Sequence, residues 1–353
     1  MSTLTIRSTV NSAAGSASFL GRKLAAALLT LIGLATVVFL MTKIIPGDEA
    51  QVVAGESATP EQVEEVRRQL GLDRSAPAQY IDYLSKLLHG DLGTSSSTMQ
   101  PVLSDVMSRL PGTLELVVLA MVIALSVAVP LATFAAARAG GGFDKVSRVG
   151  AIVAFGLPGF WLALILQWIL GAKLQLLPIS GRISVGIEVP RRTGMTLVDS
   201  VLAGNFAAFS NAFQHLILPA TVLAVSVLAQ IFRVLRADLL RVRNRDHMTV
   251  AKAKGVPPFR LWTRHALPNA TGPLLNIVGI EIGMLVGAAV LVESVFGLSG
   301  VGDYLSNAVS RKDITAVIGS VTVIGVIVVA TNFVVDLLQL AHDPRLRTNR
   351  KAQ

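Results

Sequence analysis

Leu116-Val-Val-Leu-Ala-Met-Val-Ile-Ala-Leu-Ser-Val-Ala-Val-Pro-Leu-Ala-Thr-Phe-Ala-Ala-Ala137 contains no charged residue. A helix crosses a hydrocarbon core with roughly 20 such residues, because each adds about 1.5 Å to its length. Working outward, Leu24–Thr42, Val149–Ala172 and Ile314–Val335 are charge-free runs of the same class. Ser200–Phe232 is longer than a span requires, so its first part reads as lying outside the membrane, with the span beginning near His215. A sixth stretch, Thr271 to Glu293, is interrupted by one carboxylate, Glu281. The expected fold is all-α and integral to the membrane, with six transmembrane helices. The expected divisions are an N-terminal segment 1–23, a first span 24–45, an external cap 46–112, a five-helix core 113–340 and a tail 341–353.

Composition agrees with a lipid environment: 52% of residues are hydrophobic and 15% charged, where a soluble domain carries about a quarter charged. The net charge of +9 would suit nucleic acid if it were clustered on one surface, but it alternates along the chain. The N-terminus, the 138–148 loop, the 233–270 loop and the tail hold 19 Lys/Arg against 4 acids. The intervening segments 46–110, 172–214 and 293–313 hold 11 Lys/Arg against 15 acids. This is the positive-inside pattern; it places both termini in the cytoplasm and argues against a nucleic-acid partner. Arg22 and Lys23 before an apolar run resemble a signal peptide. The run is too long for one, and Lys43-Ile-Ile-Pro-Gly offers no small-residue cleavage site, so the span is read as retained. With no cysteine, neither a disulfide nor a thiolate metal site can form.

Residues 1–21 are polar and rich in Ser, Thr and Ala, and are expected to be disordered. Between the first two spans, Pro46 to Leu110 reads as two short amphipathic helices. Thr59-Pro60-Glu61-Gln62 supplies an N-cap, a first-turn proline and a capping-box partner. Val63, Val66 and Leu70 then form an apolar stripe that Gly71 ends, and Ile81, Leu84 and Leu88 repeat the pattern before Gly90. Pro130 and Pro158 lie inside the second and third spans, where neighbouring helices or water must satisfy the freed backbone groups.

No phosphate loop, metal-spaced histidine pair or nucleophile elbow occurs, and His215, His247, His265 and His342 lie at expected membrane boundaries. The chain reads as no enzyme, with no cofactor or metal of its own. Its informative loop is 237–268, between the fourth and fifth spans. There Ala251-Lys252-Ala253-Lys254-Gly255 ends one helix and Pro257-Pro258 can start another, expected over Phe259–Ala266 and ending at Leu267-Pro268. Small Ala251, Ala253 and Gly255 leave room for a partner backbone. The loop reads as a helix–turn–helix elbow on the cytoplasmic side, built for protein docking.

These residues resemble the "EAA" loop of ABC-importer permeases, in which Glu-Ala-Ala, three residues, Gly, nine residues and Ile-x-Leu-Pro form the socket gripped by the ATPase. Ala251, Gly255 and Leu267-Pro268 keep that spacing; Thr249, Val250 and His265 replace the Glu, the first Ala and the Ile. Ala-Lys-Ala-Lys-Gly followed by His265-Ala266-Leu267 is similar to the version in the dipeptide/oligopeptide/nickel permease family. Ile45-Pro46-Gly47-Asp48, Leu70-Gly71-Leu72-Asp73, Gly90-Asp91-Leu92-Gly93, Thr113-Leu114-Glu115-Leu116, Leu177-Pro178-Ile179-Ser180-Gly181, Val292-Glu293-Ser294-Val295-Phe296-Gly297 and Asp343-Pro344-Arg345 extend the resemblance along the chain. It departs at His247-Met248 and Asp313-Ile314, where Tyr-Val/Ile and Asp-Tyr-Pro are common. The resemblance implies a B-type subunit of a type I importer that works by alternating access, with Ala251, Ala253, Lys254, Gly255, Pro257, Leu267 and Pro268 in the coupling loop. It further implies a C-type permease partner, two ATP-binding cassette subunits that use ATP and Mg, and an external binding protein. The bacterial cytoplasmic membrane is its implied location. Peptides are the implied cargo, with nickel, glutathione or oligosaccharide as alternatives within the family.

In the fifth span Gly279, Gly283 and Gly287 recur every four residues and are expected to pack against a neighbouring helix. Glu281 falls on nearly the opposite side. A lipid-facing carboxylate there would cost about 3 kcal/mol or more, so it is expected to face a water-filled cavity on the substrate path, or else to pair with a polar group of a neighbouring subunit or lie near enough the interface to be hydrated. An ion-coupled secondary transporter would show internal repeats and several midplane ionisable groups, and a channel a filter-like segment; the sequence shows none of these.

Overall fold

The computed structural model describes residues 2–44, 49–55, 58–69 and 71–342, without the side chains of 2–20, 49, 52–53 and 338–342. Ile45-Pro46-Gly47-Asp48, Leu70 and the tail from Asp343 lie outside the described residues. Helices make up every named element. They are α1 Ser2–Ile44, α2 Glu49–Ala54, α3 Pro60–Gln69, α4 Ala76–Leu88, α5 Val102–Ala137, α6 Gly142–Gly156 and α7 Gly159–Leu166. After these come α8 Thr196–Leu202, α9 Phe206–Arg243, α10 Asp246–Ala253, the short α11 Pro258–Arg260, α12 Thr271–Phe296, α13 Val301–Ser310 and α14 Ile314–His342.

Among the described residues five helical stretches are long and apolar enough to cross a membrane, or six if a bent pair is counted as one span. That pair falls on the third expected span, the one that carries Pro158. The third run is split between Gly142–Gly156 and Gly159–Lys173 by a bend of 101°. The cause is local: Pro158 disfavours the helical basin for Leu157, whose ψ is 126°, and brings no N–H of its own. Pro130 sits within α5 without such a break. At the N-terminus α1 is drawn as helix back to Ser2. The helix that carries the fourth span starts at Phe206, ahead of His215.

Thr59 and Gln62 form the expected capping box: the Thr59 N–H donates to Gln62 Oε1 at 2.9 Å, and the Gln62 N–H to Thr59 Oγ1 at 3.4 Å. In α4 the inward face differs from the expected Ile81–Leu84–Leu88 stripe. Ile81 and Leu88 are 65% and 87% exposed. Tyr80 and Tyr83 instead meet Phe39 of α1, with ring centroids 5.2 and 5.8 Å apart. Tyrosine rings bury more surface than an isoleucine, and here they set the rotation of the helix. α5 begins at Val102, inside the segment 46–112 read as the cap. Val102 and Val106 are fully buried against Val301, Tyr304 and Ala316.

The core forms where α5 meets α9, the most extensive helix pairing among the described residues. Ala120, Ala124, Ala128 and Ala132 stand at four-residue intervals on α5, each 0% exposed. On α9, Ala208, Ala212, Ala220 and Ala224 fall on the same four-residue repeat, with Leu216 at the position between them, all buried. Methyl side chains let the two backbones approach closely, which in lipid is where packing energy is gained. At the far end of α13, Asp313 caps α14 through the Ala316 N–H at 3.0 Å and ties in Ser95 Oγ at 2.6 Å and the Ser97 N–H at 2.9 Å. Burial pushes the Asp313 carboxyl up, but these donors outweigh it and hold it below its ordinary value.

The glycine stripe of α12 is only partly a packing face. A Cβ on Gly279 would collide with Val335 Cγ1, and one on Gly283 would lie 3.1 Å from Asn332 Oδ1, both on α14; Gly287 has nothing within 4 Å. The stripe therefore seats α14 at two positions and leaves the third open, since α12 and α14 diverge. Gly279→Val is expected to lower the thermal midpoint of the detergent-solubilised protein by a destabilisation of about 1–3 kcal/mol. Gly287→Val should leave it within the scatter, and equal effects from the two would contradict the divergence.

Candidate functional site at the elbow between the fourth and fifth spans

α9 ends at Arg243, and Arg245 opens α10. At the end of α10 the Lys254 N–H bonds the Val250 carbonyl at 3.0 Å, the Gly255 N–H bonds Lys252 at 2.9 Å and the Val256 N–H reaches Ala251 at 3.2 Å. Gly255 takes φ +73° there. A side chain in that left-handed basin costs roughly 1–2 kcal/mol, so glycine is the residue that stops the helix. Pro257 is extended, and Pro258 starts the next turn.

The second arm departs from expectation. It does not end at Leu267-Pro268. Leu261–Ala266 is wound as a π-helix and Leu267–Ala270 as a 3-10 helix, and the chain then continues into α12. Pro268 would clash with the carbonyl one α-turn back and cannot donate to it. The wider π-turn ahead of it makes room. The Asn269 side chain donates to the His265 carbonyl at 2.7 Å, and the Thr271 hydroxyl to that of Pro268 at 2.8 Å. The elbow is thus joined to the fifth span by an unbroken helical path from Pro258 to Phe296.

Of the expected coupling residues, Ala251 is buried with Met248, Leu261 and Ala266 on the core side. Ala253, Lys254, Gly255, Pro257 and Pro268 are exposed, and Leu267 is half-buried. Two apolar residues missed by sequence reasoning share the exposed surface: Val250 at 52% and Phe259 at 79%. Phe259 directly follows the proline pair, and an aromatic residue at that place in a polar, basic loop was the available signal.

Sequence reasoning also missed the brace behind the elbow. Asp144, at the start of α6, is 1% exposed and grips Arg236 of α9 with both oxygens: Nε to Oδ1 at 2.5 Å and Nη2 to Oδ2 at 2.7 Å. Oδ2 also accepts the Gly140 N–H at 2.9 Å. Bidentate, charge-assisted contacts of this kind are stiff. They tie the 138–148 loop to the end of α9 that carries the elbow. Nearby, the Arg233 guanidinium lies 4.9 Å from the centre of the Phe155 ring.

Within this chain Glu281 is buried rather than open to water. It is 5% exposed and has the Gln230 side chain of α9 beside it, whose Oε1 accepts from Arg233. An amide beside a buried carboxylate lowers the penalty of burying it.

The family of binding-protein-dependent transport system inner membrane components matches residues 128–348, and its N-terminal companion matches 17–117. The chain belongs to this family. The permease is 38% identical over 319 residues to the probable D,D-dipeptide transport system permease protein of Escherichia coli K12, covering 90% of this chain and 94% of that one. It is 35% identical over 334 residues to the di/tripeptide transport system permease protein of Pseudomonas aeruginosa UCBPP-PA14, covering 94% and 99%. With the dipeptide transport system permease protein of Escherichia coli K12 it shares 34% over 333 residues, covering 93% and 98%. A multi-pass transport permease is what the apolar helices and the family describe together.

In the permease, Asp144→Asn leaves the Arg236 cation buried without its counter-charge, at a cost of about 3 kcal/mol. The thermal midpoint of the purified protein is expected to fall, and Asp144→Asn combined with Arg236→Gln should recover part of the loss. Strictly additive losses would show that the two residues are not coupled.

Proposed function

We propose that this permease forms half of the translocation path of an ATP-driven importer of short peptides. A second, C-type permease supplies the other half, two ATP-binding cassette subunits bind and hydrolyse ATP with Mg, and an external binding protein delivers cargo to the cap. Both termini and the elbow face the cytoplasm, in keeping with the distribution of Lys and Arg. The observation that carries the reading is the elbow: exposed Val250 and Phe259 on two arms whose inner faces are anchored by Met248, Ala251, Leu261 and Ala266. A partner gripping that surface moves α9 and α12 directly, because no flexible break separates the second arm from its span. The peptide cargo is supported by the relatives' names, which favour it over nickel, glutathione or oligosaccharide.

Uptake of labelled di- to pentapeptides in cells lacking this chain, with other peptide systems removed, is expected to be lost and to return on re-expression. Unchanged uptake would leave the transporter class but discard the cargo. Gly255→Trp puts a strained, bulky residue where there is nothing within 4 Å, on the surface we assign to the ATPase. It is expected to insert normally while ATP hydrolysis no longer drives uptake, and wild-type uptake by that variant would remove the elbow from coupling. Glu281 we read as a lock between α9 and α12. Glu281→Gln should keep uptake within about twofold, as expected when a hydrogen bond between neutral groups replaces it; a tenfold loss would restore a role on the path.

A further inference from the structure

The end of the molecule opposite the elbow carries a recess of about 500 Å³. The distance along α12 from its first residue, beside the elbow, to its last, near Ser299 on the recess wall, is roughly 40 Å at 1.5 Å per residue. The other walls are the first turns of α5, the segment from Arg182 to Gly194 and the start of α8. Three guanidinium groups converge on it: Arg109, Arg182 and Arg191.

Each is positioned by the backbone around it. Arg109 donates to the Asp105 carbonyl at 2.9 Å and to its carboxylate at 3.0 Å, and lies 4.5 Å from the centre of the Tyr304 ring. Arg182 gives Nη2 to Glu115, has no partner for its buried Nε, and occupies the space where Gly112 lacks a side chain. Arg191 donates Nη2 to the Ser108 carbonyl and forms no ion pair among the described residues. One carboxylate lines the same recess, Asp199, but its oxygens are taken by its own loop. They accept from the Thr193 N–H and hydroxyl at 2.8 Å each, the Gly194 N–H at 3.0 Å and the Arg192 N–H at 3.2 Å. Burial pushes the Asp199 carboxyl up, yet these donors prevail and hold it below its ordinary value. The recess therefore holds two arginines paired with carboxylates, one arginine without such a partner, and an acid already satisfied.

We propose that this recess binds the C-terminal carboxylate of the peptide in transit, with Arg191 as its direct partner and Arg109 and Arg182 supplying the surrounding positive field. The proposal rests on the reading of the cargo as peptide. A guanidinium matches a carboxylate with two parallel N–H donors, and the volume lies in the range of small-ligand sites. The terminal carboxylate is the one anion that short peptides of any sequence share. A site that holds it leaves the side chains unread.

The test uses the assembled transporter without its binding protein, so that the binding protein's own selectivity does not enter. This chain has no cysteine, so Ser108→Cys places a single thiol on the recess wall. Its modification is followed by the mass of this chain. An anionic methanethiosulfonate carrying a sulfonate is expected to react faster than its trimethylammonium counterpart. Adding Arg191→Gln should reduce that ratio by about threefold or more, as loss of one nearby unit charge requires. Millimolar Ala-Ala should slow labelling at least about twofold, and Ala-Ala amide should not, because the amide presents no charge to the guanidinium. A ratio indifferent to Arg191→Gln, equal protection by acid and amide, or no protection by either would overturn the proposal. Peptide uptake by the unaltered transporter with its binding protein is measured alongside. If that uptake is present and protection fails, the carboxylate site alone is wrong; if uptake is absent, the cargo reading fails.

Discussion

The close approach of α5 and α9 is the contact on which the rest of the permease is assembled. Alanines at four-residue spacing on both helices bring the backbones together, and lipid offers no hydrophobic drive to substitute for that fit. α6, α7, α8 and α12 are all laid against α9. Because α9 also carries the elbow at one end and the Asn205 cap at the other, it links the two faces of the protein as one rigid rod.

Several carboxylates buried in this frame are matched to donors that fix the relation between two segments. Asp144 joins the 138–148 loop to α9 through Arg236. Glu115 joins α5 to the start of α8 through the Thr196 and Leu197 N–H groups, at 3.0 and 2.6 Å. Glu293, 1% exposed, accepts the Gly302 N–H at 2.7 Å and holds the turn between α12 and α13. Unpaired, any of these charges would cost several kcal/mol in such surroundings. Paired, they stiffen the joints between helices, and stiff joints are what a transporter needs if force applied at the elbow is to reach the opposite face.

The elbow itself shows how a proline can be kept inside a mechanical link. A break at Pro268 would have left two arms hinged freely to the spans. The π-turn over Leu261–Ala266 instead absorbs the ring, and the side chains of Asn269 and Thr271 occupy nearby carbonyls. At Pro158 the opposite solution appears, a bend of 101°. There Leu157 adopts extended backbone and no widened turn precedes the ring.

The sequence by itself determined the class, the apolar stretches able to cross a membrane and the place of the elbow. Those rest on charge-free length, the alternation of basic segments and the glycine–proline punctuation at 255–258, all of which act within a few residues of chain. The capping box at Thr59 was legible for the same reason. Tertiary structure decided which of two overlapping stripes on α4 turned inward, and that only part of the α12 glycine face would meet α14. It decided too that, within this chain, Glu281 would lie beside Gln230. It alone brought Asp144 to Arg236, and Arg109, Arg182 and Arg191 to one recess, from positions scattered along the chain. Periodicity reports what a helix can present to a neighbour. Which neighbour lies there depends on how whole helices cross, and a single sequence carries no local signal for that.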